Sequence, residues 1–140
     1  MEIAEALAAV RAQQRVVLVT LRRDGRPQLS NVLAAVGADD VVRVSVTHDR
    51  AKTANLRRTP WAAVHVDHPD FWSYAVLEGD VTLSEVAAAP DDESVEELVG
   101  LYRALQGEHD DWDDYRRAMV DEGRLMLLVT PGRAYGMLSR

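Results

Sequence analysis

The stretch VVRVSVTHDRAKTANLRRTP, residues 41–60, predicts a strand, a tight turn and a short helix in immediate succession. Apolar, β-branched residues over 41–46 favour the strand. Thr47-His48-Asp49 supplies the turn, with Asp49 as a good helix N-cap residue. The helix is expected over residues 50–58, because Thr59-Pro60 stops it. Such a strand-to-helix corner exposes the unpaired N–H groups of the first helical turn.

Positive charge is concentrated at the start of this helix. Lys52, the only lysine in the chain, lies in the first turn, and Arg50 lies just before it. The free N–H groups and the helix dipole add positive potential at the same place, and Thr47 and Thr53 add hydroxyl groups. Together these features predict a phosphate-binding corner. The alternative is a basic surface helix on an acidic protein, whose last arginines only complement the helix dipole.

Length and composition limit the class of protein. The chain has 140 residues, 47% of them apolar, and is expected to form one domain over residues 1–140. No window reaches the roughly 18 apolar residues of a membrane span, and residues 1–14 do not read as a secretory signal. There is no cysteine, which excludes disulfides and thiolate metal sites. The net charge of −7 argues against binding to nucleic acid or anionic membranes, and a cytoplasmic location is expected.

The pattern of apolar residues predicts a mainly β (α+β) fold. Most of the predicted strands follow one another through hairpin turns such as Asp24-Gly25, and helices come late in the chain. Gly79 is expected at a bulge or at a close approach of another backbone, and Pro131-Gly132 is expected to interrupt the last strand. This arrangement indicates a small closed or split antiparallel barrel. The expected strands cover residues 15–21, 26–36, 41–46, 61–67, 71–83 and 124–137, and the expected helices, besides the basic one, cover 2–12, 91–105 and 111–122.

Several common nucleotide-binding and catalytic motifs are missing from the sequence. The patterns GxxxxGK[ST], GxGxxG and GxSxG are absent. The four histidines lack HExxH spacing, and the acidic run at 108–114 lacks the spacing and the glycine of a calcium loop, so no metal site is expected. No side chain stands out as a general acid, and the catalytic residues are left unassigned.

Polar side chains interrupt two apolar strands near the strand-to-helix corner. Gln28, Ser30 and Asn31 lie in the second predicted strand, and Ser45 and Thr47 lie at the end of the third. Polar groups inside a sheet need hydrogen-bond partners. They either pair with each other or bind a planar polar ligand that lies against the sheet.

Three segments carry a resemblance to a known family. GRPQLSNV at 25–32, VRVSVTHDRAKTANLRRTP at 42–60 and AVLEGDVTL at 75–83 resemble the pyridoxamine-phosphate-oxidase-like split-barrel superfamily, and more closely its branch that uses the deazaflavin coenzyme F-420. The likeness extends over about residues 5–138. It implies a six-stranded antiparallel split barrel with peripheral helices, and a homodimer with two cofactors in grooves at the subunit interface.

Carried over residue by residue, the resemblance implies a cofactor site at the corner. Arg50 and Lys52 match the positions that hold the cofactor phosphate, and Ser45, Val46 and Thr47 match the strand end beside it. The remaining implied contacts are Gln28, Ser30 and Asn31 along the edge of the isoalloxazine or deazaflavin ring, Asn55 on the short helix, and Arg133 from the partner subunit. Trp72 and Tyr74 are either further contacts from the partner subunit or residues of the core or dimer interface. Arg57 and Arg58 are candidates for an acidic cofactor tail, which the sequence does not assign.

One departure from the family pattern favours the deazaflavin. The FMN-using oxidases of the superfamily carry Arg-x-x-x-x-Lys on the second strand, whereas here Arg26 is followed by Leu29-Ser30-Asn31 and no lysine. The resemblance therefore implies an oxidoreductase that uses coenzyme F-420 for hydride transfer to or from a small conjugated organic substrate. Two alternatives stay open, an FMN-binding oxidoreductase on the same fold and a non-catalytic deazaflavin-binding protein for storage or sensing.

Overall fold

The computed structural model describes residues 1–138, which form one antiparallel sheet of seven strands and four helices. The strands are β1 (Arg15–Leu21), β2 (Pro27–Leu33), β3 (Ala35–Val36), β4 (Val42–Thr47), β5 (Trp61–Asp67), β6 (Tyr74–Leu83) and β7 (Arg124–Met137). The helices are α1 (Ile3–Gln13), α2 (Ala51–Arg58), α3 (Glu93–Gln106) and α4 (Trp112–Asp121). None of the helices in the described part of the chain is long and apolar enough to cross a bilayer.

The sheet curls into a split barrel, which confirms the predicted fold, with seven strands in place of six. The strand order is β2-β1-β5-β6-β7-β4-β3, so β2 and β3 form opposite edges. The additional strand arises because the predicted strand over residues 26–36 divides at Ala34. This residue is fully buried, and its N–H donates to the Gln14 carbonyl (2.8 Å), one residue beyond the last β1–β2 pair, after which Ala35 pairs with β4. The chain thereby passes from one sheet edge to the other, and β2 contacts β4 across a split that no strand pairing closes.

The interior of the barrel is apolar because every long strand turns alternate residues inward. Helix α1 packs against this interior through Ala6, Leu7 and Val10, and α2 contributes Leu56. The strands supply Val16, Leu18, Val42, Val44, Val46, Ala62, Val64, Val66, Ala75, Leu77, Val81, Leu125, Leu127 and Val129.

A second apolar cluster lies on the outer side of the sheet. Helices α3 and α4 pack against β7 there, and Met126 of β7 meets Leu98 and Val99 of α3 and Met119 of α4. Asp92 is the N-cap of α3, and its carboxylate accepts a hydrogen bond from the Val95 N–H (2.9 Å). The two late helices therefore cover the outer side of the sheet at β7 and β4.

Helix α2 begins one residue later than the sequence predicts. Arg50, not Asp49, is its N-cap, since Arg50 has extended backbone angles and its carbonyl accepts from the N–H groups of Thr53 and Ala54. No side chain caps the helix. Instead, the Thr53 hydroxyl donates to the Thr47 carbonyl (2.6 Å) and ties the helix to the end of β4.

Strand β6 begins at Tyr74 and not at residue 71, because residues 68–73 form a turn. The Phe71 N–H donates to the His68 carbonyl (2.8 Å), and the Asp70 carboxylate accepts from the Ser73 N–H (2.9 Å). Phe71 itself has a φ of 70°. The predicted aromatic strand is therefore divided between a turn and a strand.

Strand β7 is continuous, contrary to the predicted interruption at Pro131-Gly132. Glu78 pairs with Arg133 and Gly79 with Pro131, which leaves Gly132 as the extra residue of a bulge. Proline lacks an N–H donor, and a bulge is one of the places where a sheet tolerates that lack. The bulge at Gly79 is as predicted.

Candidate functional site

A groove of about 410 Å³ opens at the split between β2 and the corner formed by β4 and α2. We call it the Lys52 groove. Asn31, Val32 and Leu33 line it from β2, Ser45 from β4 and Lys52 from α2. Its volume falls within the range of about 300–1,000 Å³ that small-molecule sites occupy. The opposite wall consists of Leu101, Tyr102, Leu105, Gln106, Tyr115, Met119 and Arg124.

Three positive side chains, Arg50, Lys52 and Arg124, form what we call the basic corner. Lys52 is half-buried, and this burial is the largest cause that lowers the pKa of its ammonium group. The positive charges of Arg50 and Arg124 lower that pKa further. Arg124 is ion-paired with Glu122 (3.0 Å), whereas Lys52 and Arg50 have no ion pair within residues 1–138. A bound anion would relieve the repulsion among these cations, so the corner favours a negatively charged ligand.

Thr47 supplies a polar atom without a partner beside the basic corner. Its hydroxyl oxygen is buried and makes no hydrogen bond within the described residues. The hydroxyl lies close enough to the exposed Asp49 carboxyl to lower its pKa, but the contact falls short of hydrogen-bond geometry. A buried hydroxyl without a partner is unfavourable, and a ligand that reaches it would restore the missing bond.

Strand β2 offers backbone groups as well as side chains. The hairpin bond from the Arg22 N–H to the Arg26 carbonyl (2.8 Å) sets the ladder, so that even-numbered residues of β2 bond to β1. The N–H and C=O groups of Leu29, Asn31 and Leu33 therefore point to the free edge, which faces the split. A planar heterocycle with donors and acceptors along one side matches such an edge.

Gln28 and Asn55 bind each other instead of facing the groove. Asn55 is 6% exposed, and its amide donates to the Gln28 side-chain oxygen (3.0 Å) and to the Thr20 hydroxyl (3.1 Å). The Asn55 oxygen accepts from Arg58 (2.9 Å). These bonds fasten α2 to β1 and β2, and they follow the alternative that polar strand residues pair with each other.

The structure separates the other predicted site residues. Asn31, Ser45 and Lys52 meet in the groove, and Arg50 is exposed at the N-cap of α2. Ser30 is half-buried on the same face of β2 as Gln28, and the Val46 side chain is 1% exposed inside the barrel. Val46 therefore offers a ligand nothing but its backbone.

Arg124 and the helical wall are site residues that the sequence does not reveal. Arg124 donates to the Ser45 hydroxyl (3.4 Å), because β7 starts opposite the end of β4. The only local signal is its position directly after Gly123. Tyr115 is held by a hydrogen bond from its hydroxyl to the Leu98 carbonyl (2.9 Å), and burial raises its pKa to about 12.

A second groove, of about 580 Å³, continues over the outer face of the sheet, and we call it the outer groove. It shares Asn31 and Leu33 with the Lys52 groove and extends across Arg15 of β1 to His65 and Asp67 of β5. Residues 1–138 hold no group of three or more His, Asp or Glu side chains placed so that they could hold a metal ion.

The split barrel and the groove beside its open strand edge define the class of protein. A family model described as pyridoxamine 5'-phosphate oxidase matches residues 3–137. The chain therefore belongs to the pyridoxamine 5'-phosphate oxidase family.

Solved structures of low sequence identity share the fold. The conserved hypothetical protein Rv2991 from Mycobacterium tuberculosis matches with 21% identity and a TM-score of 0.76, over 97% of this chain and 84% of that one. An F420 reductase matches with 23% identity and a TM-score of 0.68, over 91% of this chain and 94% of that one. A pyridoxamine 5'-phosphate oxidase-related, FMN binding protein from Nostoc punctiforme matches with 20% identity and a TM-score of 0.61, over 94% and 79%.

Proposed function

We propose that this protein is an oxidoreductase that binds coenzyme F-420 in the Lys52 groove for hydride transfer to or from a small conjugated organic substrate. The observation that carries the proposal is the half-buried Lys52, which lines the groove beside Arg50 and Arg124 without an ion pair in the described residues. The cofactor supplies the hydride chemistry when it is bound. The chain supplies an anion site, a hydrogen-bonding strand edge and an apolar wall.

The proposed phosphate seat is the basic corner. Lys52 and Arg50 attract the phosphate, and the dipole of α2 adds positive potential at the start of the helix. The unpaired Thr47 hydroxyl and the Ser45 hydroxyl provide neutral hydrogen-bonding groups at the end of β4. Hydrogen bonds between charged groups are stronger than those between neutral groups, so two cations beside several neutral donors should bind a phosphate well.

The proposed ring seat is the free edge of β2. The Asn31 side chain lines the groove, and the backbone of the same strand presents alternating donors and acceptors. Ser30 belongs to this strand, while Gln28 and Asn55 support the seat indirectly by holding α2 against β2. Val46 takes part through its backbone, because its side chain is buried in the barrel.

FMN is the second candidate cofactor, and one comparison favours it. The Nostoc punctiforme protein of the same fold is an FMN binding protein, at 20% identity. The F420 reductase matches at 23% identity, and the second strand here lacks the lysine of the FMN-using pattern, which supports the deazaflavin. Both cofactors carry a phosphate and a planar ring, so the same seat serves either.

The proposed assembly is a homodimer with cofactor sites at the subunit interface. The outer face of the sheet carries large apolar side chains that are exposed in the single chain, namely Leu29 (61%), Leu33 (43%), Tyr135 (43%) and Met137 (63%). An exposed apolar surface of this kind is typical of an interaction site. Leu33 also lines both grooves, so a partner on this face would complete them.

The test is a titration of the purified protein with F-420 and with FMN, for wild type and Lys52→Ala. Loss of one charge-assisted contact should weaken F-420 binding by about 10- to 100-fold, the equivalent of roughly 1.5–3 kcal/mol. The melting temperature should stay close to that of wild type, since Lys52 has no ion pair to lose within residues 1–138.

Arg23→Ala is the matched control, because it removes one positive charge from an exposed turn that lines neither groove. Its F-420 affinity should equal that of wild type. Unchanged affinity of Lys52→Ala would count against the phosphate seat, and tighter binding of FMN than of F-420 would favour the second candidate. Binding of F-420 without turnover of its reduced form on a panel of enones would indicate a storage or sensing protein.

A further inference from the structure

The helical wall of the Lys52 groove lies opposite the strand edge on which we place the cofactor ring. Its residues come from the end of α3 and from α4, namely Leu101, Tyr102, Leu105, Gln106, Tyr115 and Met119. The four residues from α3 are one, four and five positions apart, a spacing that puts them on one side of the helix. The Lys52 groove continues into the outer groove along β2, and two grooves of this size provide space for a substrate on the wall beside a cofactor ring.

Two hydrogen-bonding groups of this wall have no partner among residues 1–138. They are the hydroxyl of Tyr102 and the side-chain amide of Gln106, which stand one helical turn apart. The other tyrosine of the wall is already engaged, because the Tyr115 hydroxyl donates to the Leu98 carbonyl (2.9 Å). Both unpartnered groups can donate a hydrogen bond, and a carbonyl oxygen can accept two.

Neighbouring aromatic rings hold Tyr102 in place. Its ring centroid lies 5.0 Å from that of His109, 5.6 Å from that of Trp112 and 5.0 Å from that of Tyr115. The Arg103 guanidinium in turn lies over the Trp112 ring, 4.8 Å from its centroid. A donor that is fixed in advance on a rigid element stabilises a developing charge better than a mobile one.

The rest of the wall is apolar. Leu101, Leu105 and Met119 contribute only hydrocarbon and thioether groups, and α3 and α4 place no charged side chain in the lining of the groove. An ionised ligand group would lose its hydration against these side chains without gaining a counter-charge. The wall therefore favours a neutral, apolar molecule with one hydrogen-bond acceptor.

We propose that Tyr102 and Gln106 bind the carbonyl oxygen of a neutral, apolar enone that lies against α3. This inference rests on the proposed function, since the hydride comes from the reduced cofactor. Hydride transfer to the β-carbon of the enone breaks its C=C π bond and moves negative charge to the carbonyl oxygen. The resulting enolate then takes a proton from water at its α-carbon, which gives the saturated ketone. Tyr102 and Gln106 donate to the oxygen on which the charge develops.

The first test measures binding without turnover. Benzylideneacetone, a neutral enone, is titrated by calorimetry into the protein saturated with oxidised F-420, and cinnamate is its anionic counterpart of similar size. The enone should bind with a dissociation constant on the order of 1 mM, and cinnamate should bind at least about fivefold more weakly because of the cost of desolvating its carboxylate. Tyr102→Phe should weaken the enone by about fivefold, as expected for the loss of one neutral hydrogen bond.

The second test measures turnover of the same enone with reduced F-420. Tyr102→Phe and Gln106→Leu should each lower kcat by about tenfold or more, and by a larger factor than they raise KM, because the oxygen carries more charge in the transition state. F-420 affinity and melting temperature should match wild type, since neither residue belongs to the basic corner or to β2 and neither side chain has a hydrogen bond to lose within residues 1–138. Thr82→Val is the control, because it removes a hydroxyl from an exposed position that lines neither groove.

Three outcomes would overturn the inference while F-420 still binds. They are equal binding of the enone and cinnamate, unchanged binding and turnover in both wall variants, and no binding of the enone to the F-420-loaded wild-type protein. A wild-type protein that does not bind F-420 would instead contradict the proposed function and remove the basis of this inference with it.

Discussion

At the scale of single residues, the position of the only lysine is the most informative feature of the chain. Of the 16 basic side chains, Lys52 alone is a lysine, and it is half-buried at the start of α2. An arginine keeps its charge at any ordinary pH, whereas burial readily shifts the pKa of a lysine. The proposed phosphate seat therefore contains one group that titrates.

Anion affinity at the basic corner should decline at high pH. Burial and the charges of Arg50 and Arg124 lower the pKa of Lys52 below its ordinary 10.5. The charged form that binds anions predominates below the lowered pKa and is lost as the pH rises through it. F-420 affinity, measured by titration from about pH 7 to 10, should therefore fall before an ordinary lysine would deprotonate.

Lys52→Arg is the control for this pH dependence. Its guanidinium stays protonated over the whole range, so its F-420 affinity should vary less with pH than that of wild type. A flat profile for the wild-type protein would contradict the titration of Lys52 in this range, and parallel sloping profiles for both would show that another group controls binding.

Residue identity predicted part of the candidate site. Asn31 and Ser45 are recognisable as polar residues in apolar strands, and Lys52 as the lone lysine at a helix start, and all three line one groove. Arg124 is not recognisable from the sequence, because its contact with Ser45 depends on the register of β7 with β4. The pairing of Gln28 with Asn55 likewise depends on how α2 lies on the sheet, which no local pattern encodes.

At the scale of elements, the bulge at Gly79 shapes the longest strand pair. Gly79 lies against the backbone of Thr130 and Pro131, and Gly132 is the extra residue on β7. A bulge increases the local twist of a strand pair, and strong twist is what a closed or split barrel requires. The closeness of the two backbones explains why the position carries no side chain.

Gly79→Ala should destabilise the protein by roughly 1–3 kcal/mol, the usual range for overpacking. The added Cβ would collide with the Thr130 carbonyl oxygen, which is backbone and cannot rotate away. The measurement is the free energy of unfolding in urea.

Gly100→Ala is the opposite case and serves as the control. Gly100 lies on the exposed face of α3, with no atom within 4 Å of an added Cβ. Alanine there should raise the free energy of unfolding by roughly 0.5–1 kcal/mol, because glycine is a poor helix former. Equal effects of the two substitutions would contradict the close approach at Gly79.

Elements with a strong local pattern were predicted well, and long-range pairings were not. The apolar run Arg15–Leu21 and the alternation in Trp61–Asp67 define β1 and β5, respectively, at their observed bounds. The division at Ala34 has no local signal in the sequence. It arises because the first half of the segment pairs with β1 at one edge of the sheet and the second half pairs with β4 at the other. The continuity of β7 through Pro131 depends on its partner β6, which no window of β7 reveals.

At the scale of the whole molecule, the exposed apolar face of the sheet predicts self-association. Leu29→Lys places a charge at the most exposed of the β2 leucines and should shift a dimer toward monomer in sedimentation velocity experiments. Ala38→Lys, in the exposed connection from β3 to β4, should leave the sedimentation coefficient unchanged. A wild-type protein that sediments as a monomer at micromolar concentration would contradict the proposed assembly.

A single buried residue, Ala34, joins β2 to β3, and these two strands lie at opposite edges of the sheet. If β3 kept its place, one residue inserted at Ala34 would have to be absorbed either by a bulge or by a slip of β2 that breaks its hairpin register with β1. Because side chains alternate along a strand, that slip would exchange every inward residue of β2 for an outward one. The Asn31 side chain would then point into the barrel, and the side chains of Ser30 and Val32 would face the groove. The length of this connection and the hairpin register of β2 together decide which side chains face the groove.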